Sequence, residues 1–224
     1  MTAELTHIGS EPLSNSIKRL LLRRIVSGEL NPGERIVESR LAKELEISQS
    51  PVREALRDLA AAGLVDIESR RGARVRKPSP SELQHVSEVR AELDAMVARK
   101  AAALMSDDDL AELRVVHETM ESCRQGGDYV AMTEADAEFH RCIYKAADNS
   151  AALRMFNQLD PFSRTFVTLS DPSVPVGEIV TQHSSILEAL EQRDATLAAD
   201  AARGHQLWVC NIFFDDAAAA VEAT

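Results

Sequence analysis

Little in this chain is suited to covalent stapling or to a membrane. Its three cysteines, Cys123, Cys142 and Cys210, are odd in number, widely spaced and never arranged as C-x-x-C. That excludes a disulfide framework or a cysteine-rich zinc site and makes thiol chemistry an unexpected function. Long apolar runs are also missing: none approaches the roughly 20 residues needed to span a bilayer. The opening "MTAELTHIGSEPLS" has neither a basic start nor an apolar signal core, so the expectation is a cytoplasmic chain with no membrane partner. Strand signals are scarce after residue 79, which argues against a sheet-based body. What is present is a hydrophobic content of 45% over 224 residues, enough for one large domain or for a small one joined to a larger.

A net charge of −11 would exclude a nucleic-acid partner if it were evenly spread, but it is not. Residues 1–78 hold 14 basic against 11 acidic side chains, a net +3, which leaves −14 for residues 79–224. The basic part closes on "RRGARVRK", the asymmetry expected of a nucleic-acid-binding module on an acidic body. The stretch "RKPSPSEL", with two prolines and two serines, separates the parts and sets domain limits of 1–78 and 79–224.

Within the first part, Ile17, Leu20, Leu21 and Ile25 share one helical face, and "SGELNPGERI" ends that helix with a glycine and a Pro-Gly turn. A second short helix is expected in "ESRLAKELEI", with Leu41, Ala42 and Leu45 inward, and a third in "SPVREALRDLAAAGL", with Val52, Leu56 and Leu59 inward. Ser50 is read as the N-cap of the third and Pro51 as its first helical residue. After it, Val65, Ile67, Ala73 and Val75 alternate around Gly72 as in a two-stranded hairpin. Three helices and a basic hairpin match a winged helix-turn-helix. The third helix would present Gln49, Ser50 and Arg53 to a major groove, and Arg70, Arg71, Arg74 and Arg76 would sit on the wing. The plainer reading is a solvated helical surface with an ordinary basic hairpin.

The second part reads as an antiparallel helical bundle of about six helices, near 80–104, 107–125, 128–147, 150–170, 176–192 and 194–219. Three of them carry an oddity. In "EADAEFHRCIYKAA", Asp136 and His140 lie four apart on the stripe of Met132, Phe139, Ile143 and Ala147. His183 lies on the stripe of Ile179, Ile186, Leu187 and Leu190, and His205 on that of Ala202, Trp208, Val209 and Ile212. One buried histidine is ordinarily a core residue with a satisfied hydrogen bond. Three imidazoles and a carboxylate are costly to bury unless they share a partner, and a divalent metal supplies one. Zinc suits the nitrogen-rich ligand set best, with nickel or manganese as alternatives. His7, His85 and His117 stand outside the pattern and read as surface or packing residues.

The string "ISQSPVREALRDLAAAGLVDIESRRGARV", with "SGELNPGERI…LAKELEIS" before it, resembles the reading head of the GntR family of bacterial transcription regulators. Residues 80–215 resemble the FCD effector domain of the FadR branch of that family, and the likeness covers essentially the whole chain. It implies a homodimer on near-palindromic, double-stranded operator DNA, with Arg53 on the DNA and Gly72 at the wing tip. Arg40 is a further DNA contact by likeness, with Ser39 as its competitor in the alignment. The family commonly has arginine where this chain has Gln49, and Gln pairs with adenine where Arg prefers guanine, so the operator is expected to differ. The family's metal-binding members carry a D-x-x-x-H pair and two later histidines, matched here by Asp136, His140, His183 and His205. The likeness also implies a small carboxylate effector reached by Arg90, for which a surface ion pair with Asp94 is the plain alternative. Asn149 fits a family pattern as well, but reads as a turn or cap residue.

Two other functions stay open on the residues alone. A mononuclear metal hydrolase would need a positioned base, and Glu138 points roughly 200° away from Asp136 around the helix. A bundle in which the metal is only structural would respond to no ligand.

Overall fold

The structure, a computed structural model, describes residues 12–69, 72–77, 79–170 and 176–222, with the side chains of all of these except 80, 129, 162–170, 176 and 212–222. The chain forms two compact units that change over between residues 78 and 79, with residues 164–169 grouped with the first.

The first unit begins with α1 (Leu13–Val26), whose Ile17, Leu21 and Ile25 recur every four residues and are fully buried. Past its end, Gly28 takes φ +74°, a conformation that costs glycine nothing. A two-residue strand β1 (Arg35–Ile36) leads into α2 (Glu38–Glu44) and α3 (Gln49–Ala61). Leu41 and Ala42 of α2 pack on Val52, Leu56 and Leu59 of α3 and on the α1 stripe, forming one core. Leu20 and Leu45, also expected inward, are only half-buried.

Three local expectations are corrected. The N-cap of α3 is Ser48, which makes no side-chain capping bond, so Ser50 already lies inside the helix and Pro51 is its third residue. Pro51 is tolerated there because the first helical N–H groups lack partners within the helix. Second, β2 (Val65–Glu68) and β3 (Gly72–Val75) form a three-stranded antiparallel sheet with β1, in the order β1-β3-β2, rather than a bare hairpin. Two residues are too short a run to show alternation in sequence. Third, Ile67 is half exposed, because β2 lies at a sheet edge with only Val65 turned to the core.

The second unit is all helical. Ser79 and Glu82 form a capping box that opens α4 (Pro80–Leu104), and Ser106 with Asp109 does the same for α5 (Asp107–Gly126). Asp128 caps α6 (Tyr129–Ala146), and Asn149 accepts from the Ala152 N–H at 3.2 Å at the start of α7 (Ser150–Ser170). Asn149 is thus a capping residue. The last helices are α8 (Val176–Glu191) and α9 (Ala195–Glu222), with Asp194 accepting from Thr196 and Leu197 at the start of α9. Here α4 packs along α9 and α5 along α6, while α8 lies against both α9 and α5. Their shared core includes Leu113, Met120, Phe139, Tyr144, Phe156, Ile186 and Leu190. Each such side chain contributes about 1.5–3 kcal/mol by leaving water, so the polar groups among them must be compensated locally. Among the described residues, no helix is long and apolar enough to cross a membrane.

Candidate metal centre and nucleic-acid interface

In the second unit, α6 supplies Asp136 and His140, α8 supplies His183 and α9 supplies His205. One side-chain atom from each lies within 4.8 Å of the others. The apolar stripes of these three helices bring them together: His140, His183 and His205 are buried and Asp136 partly so. The side chain of Ile212, expected on the His205 stripe, lies outside the described residues. Phe139 meets the His183 ring edge-on with centroids 5.0 Å apart, and His183 and His205 are 4.3 Å apart.

The hydrogen positions decide the chemistry. His183 Nδ1 lies 2.8 Å from the Ile179 carbonyl oxygen, an acceptor only, so Nδ1 carries a hydrogen and donates it. Its other nitrogen, Nε2, is 3.0 Å from Asp136 Oδ1 and 3.3 Å from His140 Nε2. In the neutral ring that Nε2 is a lone pair facing a second acceptor, and a proton or a cation has to sit among them. Burial pushes His140 down to about 3, against the opposing pull of Asp136. His205 is lowered by burial and then by His183 and His140. Burial alone would raise the Asp136 carboxyl, but the His183 hydrogen bond and the neighbouring imidazoles hold it well below the carboxylate range. His140 and His205 as free bases beside an ionised carboxylate are the protonation states a metal ligand set requires. His205 Nδ1 is buried without a hydrogen-bond partner among the described residues. The residues therefore fit a divalent ion held by nitrogen and oxygen donors.

Arg90 adjoins this cluster, but not on the surface as its plain alternative supposed. It is 3% exposed, with Nη2 3.4 Å from Asp94 and Nη1 3.7 Å from Asp160. Its guanidinium lies 5.3 Å from the Phe156 ring centroid, and Phe156 also faces His140 at 6.3 Å. Asp94 accepts from Tyr144 Oη at 2.5 Å. Burial raises the Asp94 carboxyl despite Arg90 and that hydrogen bond. Arg90 Nε is buried with no hydrogen-bond partner among the described residues. Sequence reasoning missed Asp160 and Tyr144. The signal for Asp160 was available: in "MFNQLDPF" it stands four residues after Phe156 on the same stripe, and both are 1% exposed.

The remaining histidines do not join the cluster. His117 is half-buried, with Nε2 3.1 Å from Ser184 Oγ, His85 is exposed, and His7 lies outside the described residues. Glu138 faces away from Asp136 and is occupied by Arg141 and Lys145, so it offers no general base. Burial pushes the Cys142 thiol up to about 11, which makes it inert.

In the first unit, the exposed start of α3 carries Gln49, Ser50 and Arg53. Gln49 and Arg53 line a groove with Arg35, Glu38, Ser39 and Gly72. Arg53 donates from Nε and Nη2 to Glu38 Oε2, at 3.1 and 2.8 Å. Arg40 is exposed on α2, outside this groove, whereas Ser39, its competitor, lines it. Arg71 and Arg70 lie outside the described residues. Arg74 and Arg76, expected on the wing, are held internally: Arg74 by Glu68 and the Gly33 carbonyl, Arg76 by the Gly63 carbonyl. Gly72 has φ +96°, and a Cβ there would stand 2.2 Å from the Ile36 carbonyl oxygen, so β1 can cross only a glycine.

Comparison with known proteins matches residues 13–75 to the gntR family of bacterial regulatory proteins and residues 85–207 to the FCD domain. The chain belongs to the GntR family. It is 30% identical over 205 residues to the "Probable D-xylose utilization operon transcriptional repressor" of Paenarthrobacter nicotinovorans, covering 92% of this chain and 90% of that one. It is 28% identical to the gluconate operon transcriptional repressor of Bacillus subtilis over 79% of its own length and 75% of the relative's. E. coli McbR/YncC shares the fold with a TM-score of 0.78, at 22% identity over 91% of this chain and 98% of that one. This GntR-family protein is accordingly a DNA-binding transcription regulator with an FCD effector domain, and not an enzyme.

Proposed function

We propose that this regulator is a repressor that acts in the cytoplasm as a homodimer on a near-palindromic operator, and that its FCD domain senses a small organic acid at a metal centre. The observation that carries the sensing part is the convergence of Asp136, His140, His183 and His205 beside the buried Arg90. Repression is carried over from relatives named as repressors of sugar and sugar-acid operons. A dimer follows from the reading head's size, since one helix in one major groove reads only a half-site. Within the head, Gln49, Ser50 and Arg53 are the base-facing residues, Gly72 shapes the sheet beside them, and Arg40 and Arg71 contact backbone.

A bound divalent ion, zinc for preference and nickel or manganese otherwise, would offer open coordination positions to a carboxylate. The protein's own groups do the rest. Asp136 and the three histidines fix the ion's place, and the Ile179 carbonyl fixes the orientation of His183. Arg90 supplies the cationic donor for an acid group, and its unused Nε is the donor available without breaking a contact. To use its Nη groups as well, the acid must draw Arg90 from Asp94 or Asp160, which ties ligand binding to α4 and α7. An effector acts only through a preference between two arrangements of the protein; a tenfold preference is about 1.4 kcal/mol.

The test is a thermal-shift screen of small mono- and dicarboxylic acids on metal-loaded and chelated protein, followed by operator binding with any acid that scores. A stabilisation seen only with metal present supports the sensor reading; it amounts to about 2.7 kcal/mol at a hundredfold excess over Kd. Loss of stability on chelation with no response to any acid would leave a purely structural ion.

A further inference from the structure

The reading head supplies its own counterions. On its described face, Glu68 lies 2.8 Å from Arg74 and 3.7 Å from Arg35, Asp66 lies 3.6 Å from Arg76, and Glu38 holds Arg53. Of these acids, Glu38 alone is among the residues lining the groove with Gln49 and Gly72. It is the first residue of α2, where the helix dipole favours a carboxylate, and its side chain is 21% exposed against 51% for Arg53. The acid therefore sits behind the arginine, which reaches outward.

The geometry of the pair matters more than its existence. Glu38 Oε2 takes the Nε hydrogen and one Nη2 hydrogen of Arg53, while Nη1 makes no hydrogen bond among the described residues. A guanidinium has five N–H donors, so three remain for a ligand in the groove. The Arg53–Glu38 pair as a whole, however, carries no net charge. Non-specific binding to a duplex rests almost wholly on cations neutralising phosphates, whereas a base edge offers neutral acceptors. A neutral pair with spare donors gains little from a phosphate and keeps its value against a base.

We infer that Glu38 is a specificity-determining residue of the reading head: it turns Arg53 from a phosphate anchor into a reader of base edges, and so suppresses binding to unrelated DNA. The inference rests on the assignment of Arg53 to the DNA face made above.

The test compares the full-length wild-type protein with Glu38→Gln and, in parallel, Arg53→Ala. Each is titrated against a duplex selected by the wild type from a random library and against a scrambled duplex of the same composition, over a range of salt. For Glu38→Gln, affinity for the scrambled duplex should rise about three- to tenfold and its log–log salt slope should steepen by about one phosphate's worth. Affinity for the selected duplex should stay level or fall, so the specificity ratio drops. A change by the same factor on both duplexes, or on neither, overturns the inference, and so does an unaltered salt slope, because a merely structural role would not move it. If Arg53→Ala leaves both duplexes bound as before, the assignment of Arg53 fails and takes the inference with it. If Arg53→Ala weakens the selected duplex while Glu38→Gln leaves selectivity intact, only the inference fails.

Discussion

At the scale of single residues, the effector domain turns on which nitrogen of His183 bears the hydrogen. With Nδ1 committed to the Ile179 carbonyl, Nε2 is the nitrogen left to hold an ion, and under the proposed metal centre removing the ring should take metal with it. His183→Ala is expected to lower bound metal at least tenfold by elemental analysis, while His117→Ala, which removes a ring that meets Ser184 and the Val180 carbonyl outside the cluster, should leave metal content unchanged. Full metal content in His183→Ala would remove that residue from the ligand set. The convergence of these side chains was legible because each imidazole interrupts an apolar stripe on its own helix. Asp160 and Asp94 were harder to read as one unit: what joins them is Arg90, and in the chain Asp160 lies 70 residues from it. In the reading head, Gly72→Ala places a methyl group against the Ile36 carbonyl at positive φ. It should cost about 2 kcal/mol or more in a denaturant titration. A loss below a few tenths of that would mean that β1 yields without penalty.

At the scale of elements, helix ends explain much of what sequence patterns could and could not give. The helices of the effector unit were readable almost to the residue because Ser79, Ser106, Asp128, Asn149 and Asp194 are side-chain caps with an apolar stripe behind each. Ser48 makes no such bond, and the start of α3 was misread by that route. The turn between α2 and α3 carries a different signal. Ile47 N–H bonds the Ala42 carbonyl and Glu46 N–H the Lys43 carbonyl, a Schellman closure that puts Glu46 at φ +57°. Gly63 and Gly127 close α3 and α5 in the same way at no steric cost, but a glutamate is strained there. Glu46→Gly should relieve about 1–2 kcal/mol of left-handed strain and return about half of it as lost chain entropy. The net expectation is a gain of about 0.5–1 kcal/mol in chemical denaturation followed in the far ultraviolet. A destabilised variant would mean that the Glu46 side chain makes a contribution the turn geometry does not explain.

At the scale of the whole molecule, the two units have separate hydrophobic cores, one of α1–α3 with the sheet and the other of α4–α6 with helices α7–α9. The composition that separates them in charge separates them again in aromatics. The single tryptophan, both tyrosines and all six phenylalanines lie beyond residue 128. Trp208 is three positions from His205 on α9, so indole fluorescence reports the effector unit alone, while the far-ultraviolet helix signal reports both units. This gives a way to ask where a metal acts without dividing the chain. If an ion is held by Asp136, His140, His183 and His205, a chelator removes binding energy from that unit only. The fluorescence melting curve should then shift down by several degrees, since about 1 kcal/mol moves the midpoint of a domain this size by roughly 2–8 °C. The part of the helix signal that belongs to the reading head should melt where it did before. A fluorescence curve that ignores the chelator would mean that the four side chains are bridged by a proton rather than an ion. A helix signal that shifts as a whole would mean that the two cores unfold as one cooperative unit, and that a perturbation at the effector site is transmitted to the DNA-binding core through the fold itself.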